Sequence, residues 1–308
     1  MTYNKLGLIM GLNYTGSTSA LGGCINDAHN LRNLLVSDFS YSRDSITIMT
    51  DELSGSLYPN KQNILNQLEQ LVNKVISDKI TEVWISYSGH GSYTIDRNGD
   101  EDDNKDENIC PLDFSVNGFI TDDVISSYLA RIPDTCRVVC IFDCCHSGTM
   151  CDLTYKYAYS KSPGSRKRVR KRVRRRVRRG RRYVSRWVWQ WVWENEPETW
   201  NWSGGEVNQN SKITCPIISI SGCRDPQTSA DVFNSEKGRW GGALTNAFIN
   251  AVNGTEKSLS CRDLCQQLNK HMETNNLSQQ PVLTTSYGLN SDHVFFRKAL
   301  EDNCCIQT

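Results

Sequence analysis

No stretch of the 308 residues approaches the roughly 18 consecutive apolar residues that a membrane-spanning helix needs. The sequence also lacks paired C-x-x-C motifs, so a structural zinc site is not expected. The first ten residues hold a short apolar run without a small-residue cleavage site, and we interpret them as a strand rather than a signal peptide. These absences argue against membrane, zinc-binding and secreted classes of protein.

Cysteine is plentiful, with thirteen residues, but the sequence does not predict a disulfide framework. A chain of this length does not need cross-links, and no secretory segment directs it to an oxidising compartment. Cys136, Cys140, Cys215 and Cys223 lie in or beside apolar runs, so we expect them to pack as small buried hydrophobic residues. The expected setting is therefore the reducing cytoplasm.

The formal net charge of +1 conceals a strong asymmetry. Residues 166–186 contain fourteen Arg and Lys and no acidic residue, and subtracting those charges from +1 leaves −13 for the rest of the chain. The sequence therefore describes an acidic protein that carries one intensely basic segment.

Apolar strands and amphipathic helices alternate along most of the chain. The predicted strands cover 6–12, 45–50, 82–87, 137–142, 216–221 and about 282–286, and the predicted helices cover about 25–35, 64–76, 122–131, 242–252 and 261–272. This alternation predicts an α/β fold with a mostly parallel sheet flanked by helices on both faces. Reactive groups in such sheets gather at the carboxyl ends of the strands, and both His90 and Cys145 follow predicted strand ends.

Residues 154–212 break the alternation. They contain the basic run and six of the eight tryptophans. We therefore predict one α/β domain in two parts, a larger part at 1–153 and a smaller part at 213–308. A long Arg/Trp-rich insert at 154–212 separates the two parts.

Cys145 and His90 have the chemistry of a catalytic dyad. A thiol attacks a carbonyl carbon as thiolate, and a neighbouring imidazole raises the thiolate fraction and later protonates the leaving amine. The backbone N–H groups of Gly91 and Cys145 are natural oxyanion donors, since glycine allows close approach to a substrate. The structural alternative is a buried cysteine at a strand end and an unrelated loop histidine.

Several ordered motifs together resemble the metacaspases, which are caspase-fold cysteine peptidases. The motifs are LNYTG at 12–16, GGCINDA at 22–28, YSGHG at 87–91, DCCHSG at 143–148, SISGCRDPQTSAD at 219–231 and GALT at 242–245. The resemblance covers about residues 5–153 and 213–300, a large-subunit-like and a small-subunit-like part. It is greatest to type I members, but without the prodomain that some of them carry.

The resemblance implies that Cys145 is the nucleophile, His90 its acid–base partner and Cys144 a spectator. It also implies a substrate pocket formed by Asp27, Ser88 and Asp143. Two carboxylates in one pocket suit a guanidinium or ammonium group, so the expected cleavage follows Arg or Lys. For Asp27 the structural alternative is a helix-end carboxylate that accepts backbone hydrogen bonds. Cys24 occupies the place of an accessory cysteine in some relatives, or is simply a packed thiol.

The resemblance further implies a calcium site formed by Asp106, Asp122, Asp123 and Asp152. Oxygen-only ligation suits Ca²⁺, which would offset the repulsion among four carboxylates. The alternative is that Asp122 and Asp123 merely begin a helix after Thr121.

The function of the Arg/Trp insert stays open at this point. Arg with Trp suits nucleic acid or an anionic membrane, and we expect such contacts, if made, through residues 166–202. That chemistry supports a rival function, an inactive caspase-fold scaffold that binds through the insert. The plain alternative is a solvated, disordered loop. A peptidase that cuts after Arg would instead carry its own substrate here, as a self-processing zymogen.

Two further expectations concern location and assembly. The run that begins at Arg166 resembles a nuclear-import signal, so the nucleus is the second expected location after the cytoplasm. Residues 305–308 fit a prenylation box only loosely, and no lipid anchor at Cys305 is expected. We expect the protein to act as a monomer on peptide or protein substrates that contain Arg or Lys.

Overall fold

The structure is a computed structural model, and it describes residues 4–95, 105–144, 150–162, 166–180, 182–195, 199–222, 231–234, 239–290 and 292–298. Its strands are β1 (Lys5–Gly11), β2 (Ile46–Thr50), β3 (Glu82–Ser88), β4 (Gly91–Ile95), β5 (Lys105–Ile109), β6 (Ile120–Thr121), β7 (Arg137–Asp143), β8 (Tyr155–Ser162), β9 (Arg166–Arg179), β10 (Arg182–Asn195), β11 (Thr199–Glu206), β12 (Ile217–Ser221), β13 (Asp231–Asn234), β14 (Arg239–Gly242), β15 (Ser258–Ser260), β16 (Val282–Thr285) and β17 (Val294–Arg297). Its helices are α1 (Cys24–Asp38), α2 (Lys61–Asp78), α3 (Phe114–Asn117), α4 (Asp122–Leu129), α5 (Ala243–Asn253) and α6 (Cys261–Thr274).

Eight strands form the central sheet, in the order β11-β8-β16-β12-β7-β3-β1-β2. The neighbours from β2 to β12 pair in parallel, and β16 pairs antiparallel with β12 and with β8. The prediction of a mostly parallel sheet is therefore confirmed. Strands from before and after the insert interleave, because β16 lies between β8 and β12.

Both faces of the sheet are covered because successive residues of a strand point to opposite sides. On one face, Leu8 and Met10 of β1 share a core cluster with Ile64 of α2. On the other face, Trp84 of β3 packs against Phe248 of α5, with 5.8 Å between ring centroids. The helices on both faces agree with the sequence prediction.

A close approach of α1 to the end of β1 sets the position of the first predicted pocket residue. A Cβ at Gly11 would collide with the carbonyl oxygen of Cys24 and would lie 2.9 Å from the Cβ of Ala28. Only glycine therefore lets the first turn of α1 contact β1 this closely, and this contact brings Asp27 to the carboxyl edge of the sheet.

Part of the insert forms a separate unit at Tyr159–Ser203. Within it, β9 and β10 pair antiparallel over fourteen residues each, from Arg166 opposite Asn195 to Arg179 opposite Arg182. Gly180 in the connection has φ +63°, a left-handed conformation that glycine adopts readily. These paired strands differ from the disordered loop that the composition leaves open.

The boundaries of the insert also differ from those drawn on composition. The sequence predicts an insert at 154–212, whereas Tyr155 to Ala158 of β8 pair with β16 in the central sheet. The strands β8 and β11 that flank the basic segment thus belong to the central sheet. Composition alone does not show this, because it reveals where the residue types change and not which strands pair.

Candidate active site

The carboxyl ends of β1, β3 and β7 bring predicted pocket residues side by side. The parallel register aligns Gly11 with Ser88 and Ser88 with Asp143. His90 follows β3 by two residues. The predicted nucleophile Cys145 lies outside the described residues, as do residues 146–149.

The imidazole of His90 is held in one tautomer. Its Nε2 lies 2.7 Å from the carbonyl oxygen of Ser19. A carbonyl oxygen only accepts hydrogen bonds, so this contact requires a proton on Nε2, and in that tautomer Nδ1 is the acceptor nitrogen. This arrangement makes Nδ1 the atom that can take a proton from a thiol.

Tyr14 fixes the backbone and ring of His90. Its ring centroid lies 4.6 Å from that of His90, and its hydroxyl accepts the backbone N–H of His90 at 3.0 Å. The same hydroxyl donates to the carbonyl of Cys110, while Tyr87 donates to the carbonyl of His90 at 2.8 Å. Burial raises the pKa of Tyr14 and of Tyr87 well above the ordinary value, so both hydroxyls keep their protons.

The carboxylates of Asp27 and Asp143 both lie close to Gly242. The Oδ2 of Asp27 accepts the Ser88 hydroxyl at 2.7 Å and the Gly242 N–H at 2.8 Å. The Oδ2 of Asp143 accepts the backbone N–H and the hydroxyl of Thr245 at 2.8 and 2.9 Å. A Cβ at Gly242 would collide with Asp143 and would lie 2.9 Å from Asp27. The structure therefore brings the three predicted pocket residues into one buried cluster.

Backbone groups at the start of α5 occupy this cluster. The cavity beside Asp27, Ser88 and Thr245 has a volume of about 10 Å³, which is room for about one water molecule. The carboxylates thus also cap the chain leading into α5, a role like the structural alternative considered for Asp27. A guanidinium would have to replace N–H donors that the protein itself now supplies.

Gly91, a predicted oxyanion donor, begins β4. Cys110, just after β5, donates its N–H to the carbonyl of His90, just before β4, at 3.1 Å, so His90 and Cys110 occupy a bonded position that continues the β4–β5 ladder. Bonded and non-bonded pairs alternate in antiparallel strands, and the next pair is Gly91 with Ile109. The N–H of Gly91 therefore points away from β5.

The nine cysteines within the described residues carry thiols and are all buried. The expected burial of Cys136, Cys140 and Cys215 is confirmed, and Cys223 lies outside the described residues. Cys144 is 0% exposed in the core, and Cys24 is buried at the start of α1. Burial raises the pKa of Cys136 and Cys215 to about 12, so these thiols stay protonated and unreactive.

The predicted calcium ligands gather near β5 and the start of α4. Asp122 is buried and accepts the backbone N–H groups of Glu107 and Asp123 at 2.8 Å each. Burial first, and then the charges of Asp152 and Asp106, raise the pKa of Asp122 to about 8. Asp122 also begins α4, as the helix-start alternative predicts.

The chemistry of these carboxylates suits calcium, but their arrangement is not that of a formed metal site. Asp152 adopts φ +46°, and its Oδ2 accepts the Ser126 hydroxyl at 2.7 Å. Within the described residues, no three His, Cys, Asp or Glu side chains converge as metal ligands do. Binding a calcium ion would therefore require the carboxylates to move closer together.

Sequence comparison agrees with the motifs. Residues 5–154 match the family model described as metacaspase, peptidase C14 domain. The chain is 36% identical over 92% of its length to Metacaspase-1 of Yarrowia lipolytica, and 32% identical over 93% to Metacaspase-1 of Saccharomyces cerevisiae. The chain belongs to the metacaspase family. It spans 62% of the length of the Yarrowia protein and 67% of the Saccharomyces protein.

A solved structure shares the fold of this metacaspase-family chain. A crystal structure of a protein from Geobacter sulfurreducens matches with a TM-score of 0.55 and 17% identity, covering 96% of this chain and 97% of that one. Helices of the length and apolar character needed to cross a membrane do not occur among the described residues.

Proposed function

We propose that the protein is a calcium-dependent cysteine endopeptidase that cleaves after Arg or Lys and processes itself within the Arg/Trp insert. The observation that carries this proposal is the convergence of His90, Ser88, Asp27 and Asp143 at one edge of the sheet, where β7 leads directly to the two adjacent cysteines.

In this proposal Cys145 attacks the scissile carbonyl carbon. His90 Nδ1 takes the thiol proton, and the imidazolium returns it to the leaving amine as the C–N bond breaks. The backbone N–H groups of Gly91 and Cys145 donate to the oxyanion. A water molecule, deprotonated by His90, then hydrolyses the thioester and regenerates the thiol. The burial of Cys144 in the core supports Cys145 as the nucleophile of the pair.

The specificity for Arg or Lys is inferred from charge. Asp27 and Asp143 place two carboxylates in one buried cluster with the Ser88 hydroxyl, and a cationic side chain would take over the hydrogen bonds now donated by Gly242 and Thr245. An acidic side chain would be repelled. Bound calcium would supply the positive charge that lets the carboxylates of Asp106, Asp122, Asp123 and Asp152 ionise together.

The test is hydrolysis of matched fluorogenic peptides that end in Arg, Lys or Asp, with calcium or with a chelator. We expect turnover of the Arg and Lys peptides in calcium only. Cys145→Ala should abolish it, whereas Cys144→Ala should keep most of it. Equal loss in both variants, with both folded, would mean that the nucleophile is wrongly assigned.

A matched pair of variants separates charge recognition from helix capping. In Asp143→Asn the side-chain oxygen still accepts the N–H of Thr245, so the melting temperature should stay near that of the parent. The side chain carries no charge, so kcat/KM for Arg peptides should fall at least about tenfold. Asp143→Ala should lose both turnover and stability. Full activity of Asp143→Asn, or cleavage after Asp by the parent, would overturn the specificity.

A further inference from the structure

The β9–β10 hairpin carries an Arg/Trp ladder on one face. The antiparallel register places four indoles opposite four guanidinium groups, as the pairs Trp187–Arg174, Trp189–Arg172, Trp191–Arg170 and Trp193–Arg168. All eight side chains are exposed, and the indoles keep 54–65% of their surface accessible. Aromatic residues of this size normally bury most of their surface. A row of four exposed indoles therefore indicates a binding surface for another molecule.

Charge and aromatic surface are mixed within the ladder rather than segregated. The guanidinium of Arg170 lies 5.7 Å from the ring centroid of Trp189, and that of Arg168 lies 5.8 Å from that of Trp191. Such cation–π contacts hold the charges beside the indoles and leave both open to a ligand. A ligand that satisfies this face must therefore present negative charge and flat apolar groups in alternation.

The opposite face of the hairpin is also cationic. Half-buried valines such as Val173 and Val188 alternate there with the exposed Arg175 and Arg186. A segment that lies in a membrane interface needs one apolar face to enter the lipid. Neither face of this hairpin is apolar, which disfavours a membrane surface as the ligand.

The spacing of the ladder matches a nucleic-acid strand. Residues two apart in a strand are separated by about 6.8 Å. Consecutive bases of a stacked strand are about 3.4 Å apart, so one base inserted between two neighbouring indoles requires about the same 6.8 Å. We propose that the Arg/Trp ladder binds single-stranded nucleic acid, with bases stacking on the indoles and phosphates contacting the arginines. This inference does not depend on peptidase activity.

The experiment measures binding to the full-length chain with Cys145→Ala, which keeps the hairpin intact. Labelled U12 and dT12 are titrated beside an abasic 12-mer that has the same phosphates but no bases. We expect one or both of the base-containing strands to bind at least about 100-fold more tightly than the abasic strand, because stacking adds to charge. The comparison of U12 with dT12 then identifies RNA or DNA as the preferred form.

Matched variants assign the effect to the ladder. The combined variant Trp187→Val, Trp189→Val, Trp191→Val and Trp193→Val keeps strand propensity and charge, and it should abolish the preference for bases. The matched variant with Trp→Tyr at the same four positions should retain most of this preference, because the phenol ring also stacks. The combined variant Arg168→Gln, Arg170→Gln, Arg172→Gln and Arg174→Gln should reduce the slope of log affinity against log salt by about 3. The control variant Arg175→Gln, Arg179→Gln, Arg182→Gln and Arg186→Gln should reduce that slope by less than half as much.

Two results would overturn the proposal. Equal affinity of the unsubstituted hairpin for the base-containing and abasic strands would mean that it binds by charge alone. Tight binding to phosphatidylserine vesicles that the valine variant loses, with no preference for bases, would instead assign the ladder to a membrane surface. Melting temperatures of the variants close to that of the Cys145→Ala parent would show that the central sheet is intact.

Discussion

Tyr14 holds His90 by its ring and by its hydroxyl, which accepts the His90 backbone N–H at 3.0 Å. Tyr14 itself adopts φ +52°, a left-handed conformation that is uncommon for a bulky residue. Such strain persists only where the surrounding contacts enforce it, and here the contacts enforce the position of a histidine. Tyr14 is therefore a positioning residue for the proposed reaction.

Tyr14→Phe should keep the ring contact and lose the hydrogen bond to His90. We expect kcat on an Arg peptide to fall about 5- to 10-fold with KM nearly unchanged, since His90 loses orientation while the carboxylates are untouched. The exposed Tyr58 provides the control variant Tyr58→Phe, which should behave as the parent. A fall in stability alone, without a change in kcat, would show that Tyr14 serves only the fold.

The residues of the site are predictable from local motifs, whereas their partners are not. Ser88 and Asp143 end β3 and β7, and His90 follows β3 by two residues, as the positions of the apolar runs in the sequence indicate. The carbonyl of Ser19, the hydroxyl of Tyr14 and the amide of Thr245 are 71, 76 and 102 residues from the groups that they contact. No local pattern encodes contacts at such separations, so the tautomer of His90 and the closed pocket emerge only from the fold.

At the scale of elements, β5 and α4 meet at a buried acidic residue. The ordinary pKa of an aspartate is 3.8, and burial raises that of Asp122 to about 8 in the folded protein. An acid with a raised folded pKa keeps its proton between these values, so folding without metal becomes less favourable as pH rises from about 4 to about 8.

Calcium binding should show the opposite dependence on pH. A cation must displace the Asp122 proton below pH 8, so calcium affinity should rise by up to about tenfold per pH unit between pH 6 and pH 8. Calorimetry with Cys145→Ala at pH 6, 7 and 8 measures this. Asp122→Asn should weaken binding and flatten the profile. An affinity that is the same at pH 6 and pH 8 in the parent would contradict the assignment of Asp122 as a ligand.

The elements themselves differ in how far the sequence predicts them. Every predicted strand and helix of the central α/β unit is present within a few residues, because buried strands and amphipathic helices have clear periodicities. The β9–β10 hairpin is harder to predict from the sequence. Val169 and Val173 recur at a spacing of four, which fits one face of a helix as well as one face of a strand. The sequence predicts none of the short strands β4 to β6, because the acidic residues around them carry no periodicity.

At the scale of the whole molecule, the exposed Gly180 follows β9 and lies between the arginines that end β9 and begin β10. Paired strands resist proteolysis, whereas an exposed turn between arginines can enter a cleft. We expect calcium to cause self-cleavage within 161–186, with the first cut at 179–182, as mapped by mass spectrometry. Cys145→Ala, and Asp122→Ala with Asp123→Ala, should stay uncut. An insert that stays intact in an enzyme active on peptides would refute self-processing but not the peptidase.

The two products of such a cut would not separate on dilution. The first fragment contributes β7 and β8, and the second inserts β12 and β16 between them. Separation would break four pairings, β12 with β7, β16 with β8, β11 with β8 and β10 with β9. It would leave eight strand edges unpaired and prone to aggregate.

Because the strands of the two fragments alternate in one sheet, we expect the fragments to separate only when denaturant unfolds that sheet. The first fragment alone would lack the two strands that lie between β7 and β8. The second fragment alone would hold β12 and β16 without β7 and β8 beside them, so we expect neither fragment to fold by itself. Co-expressed halves would instead complement one another, so the chain can be divided at its hairpin into a split protein whose reassembly is as specific as its folding.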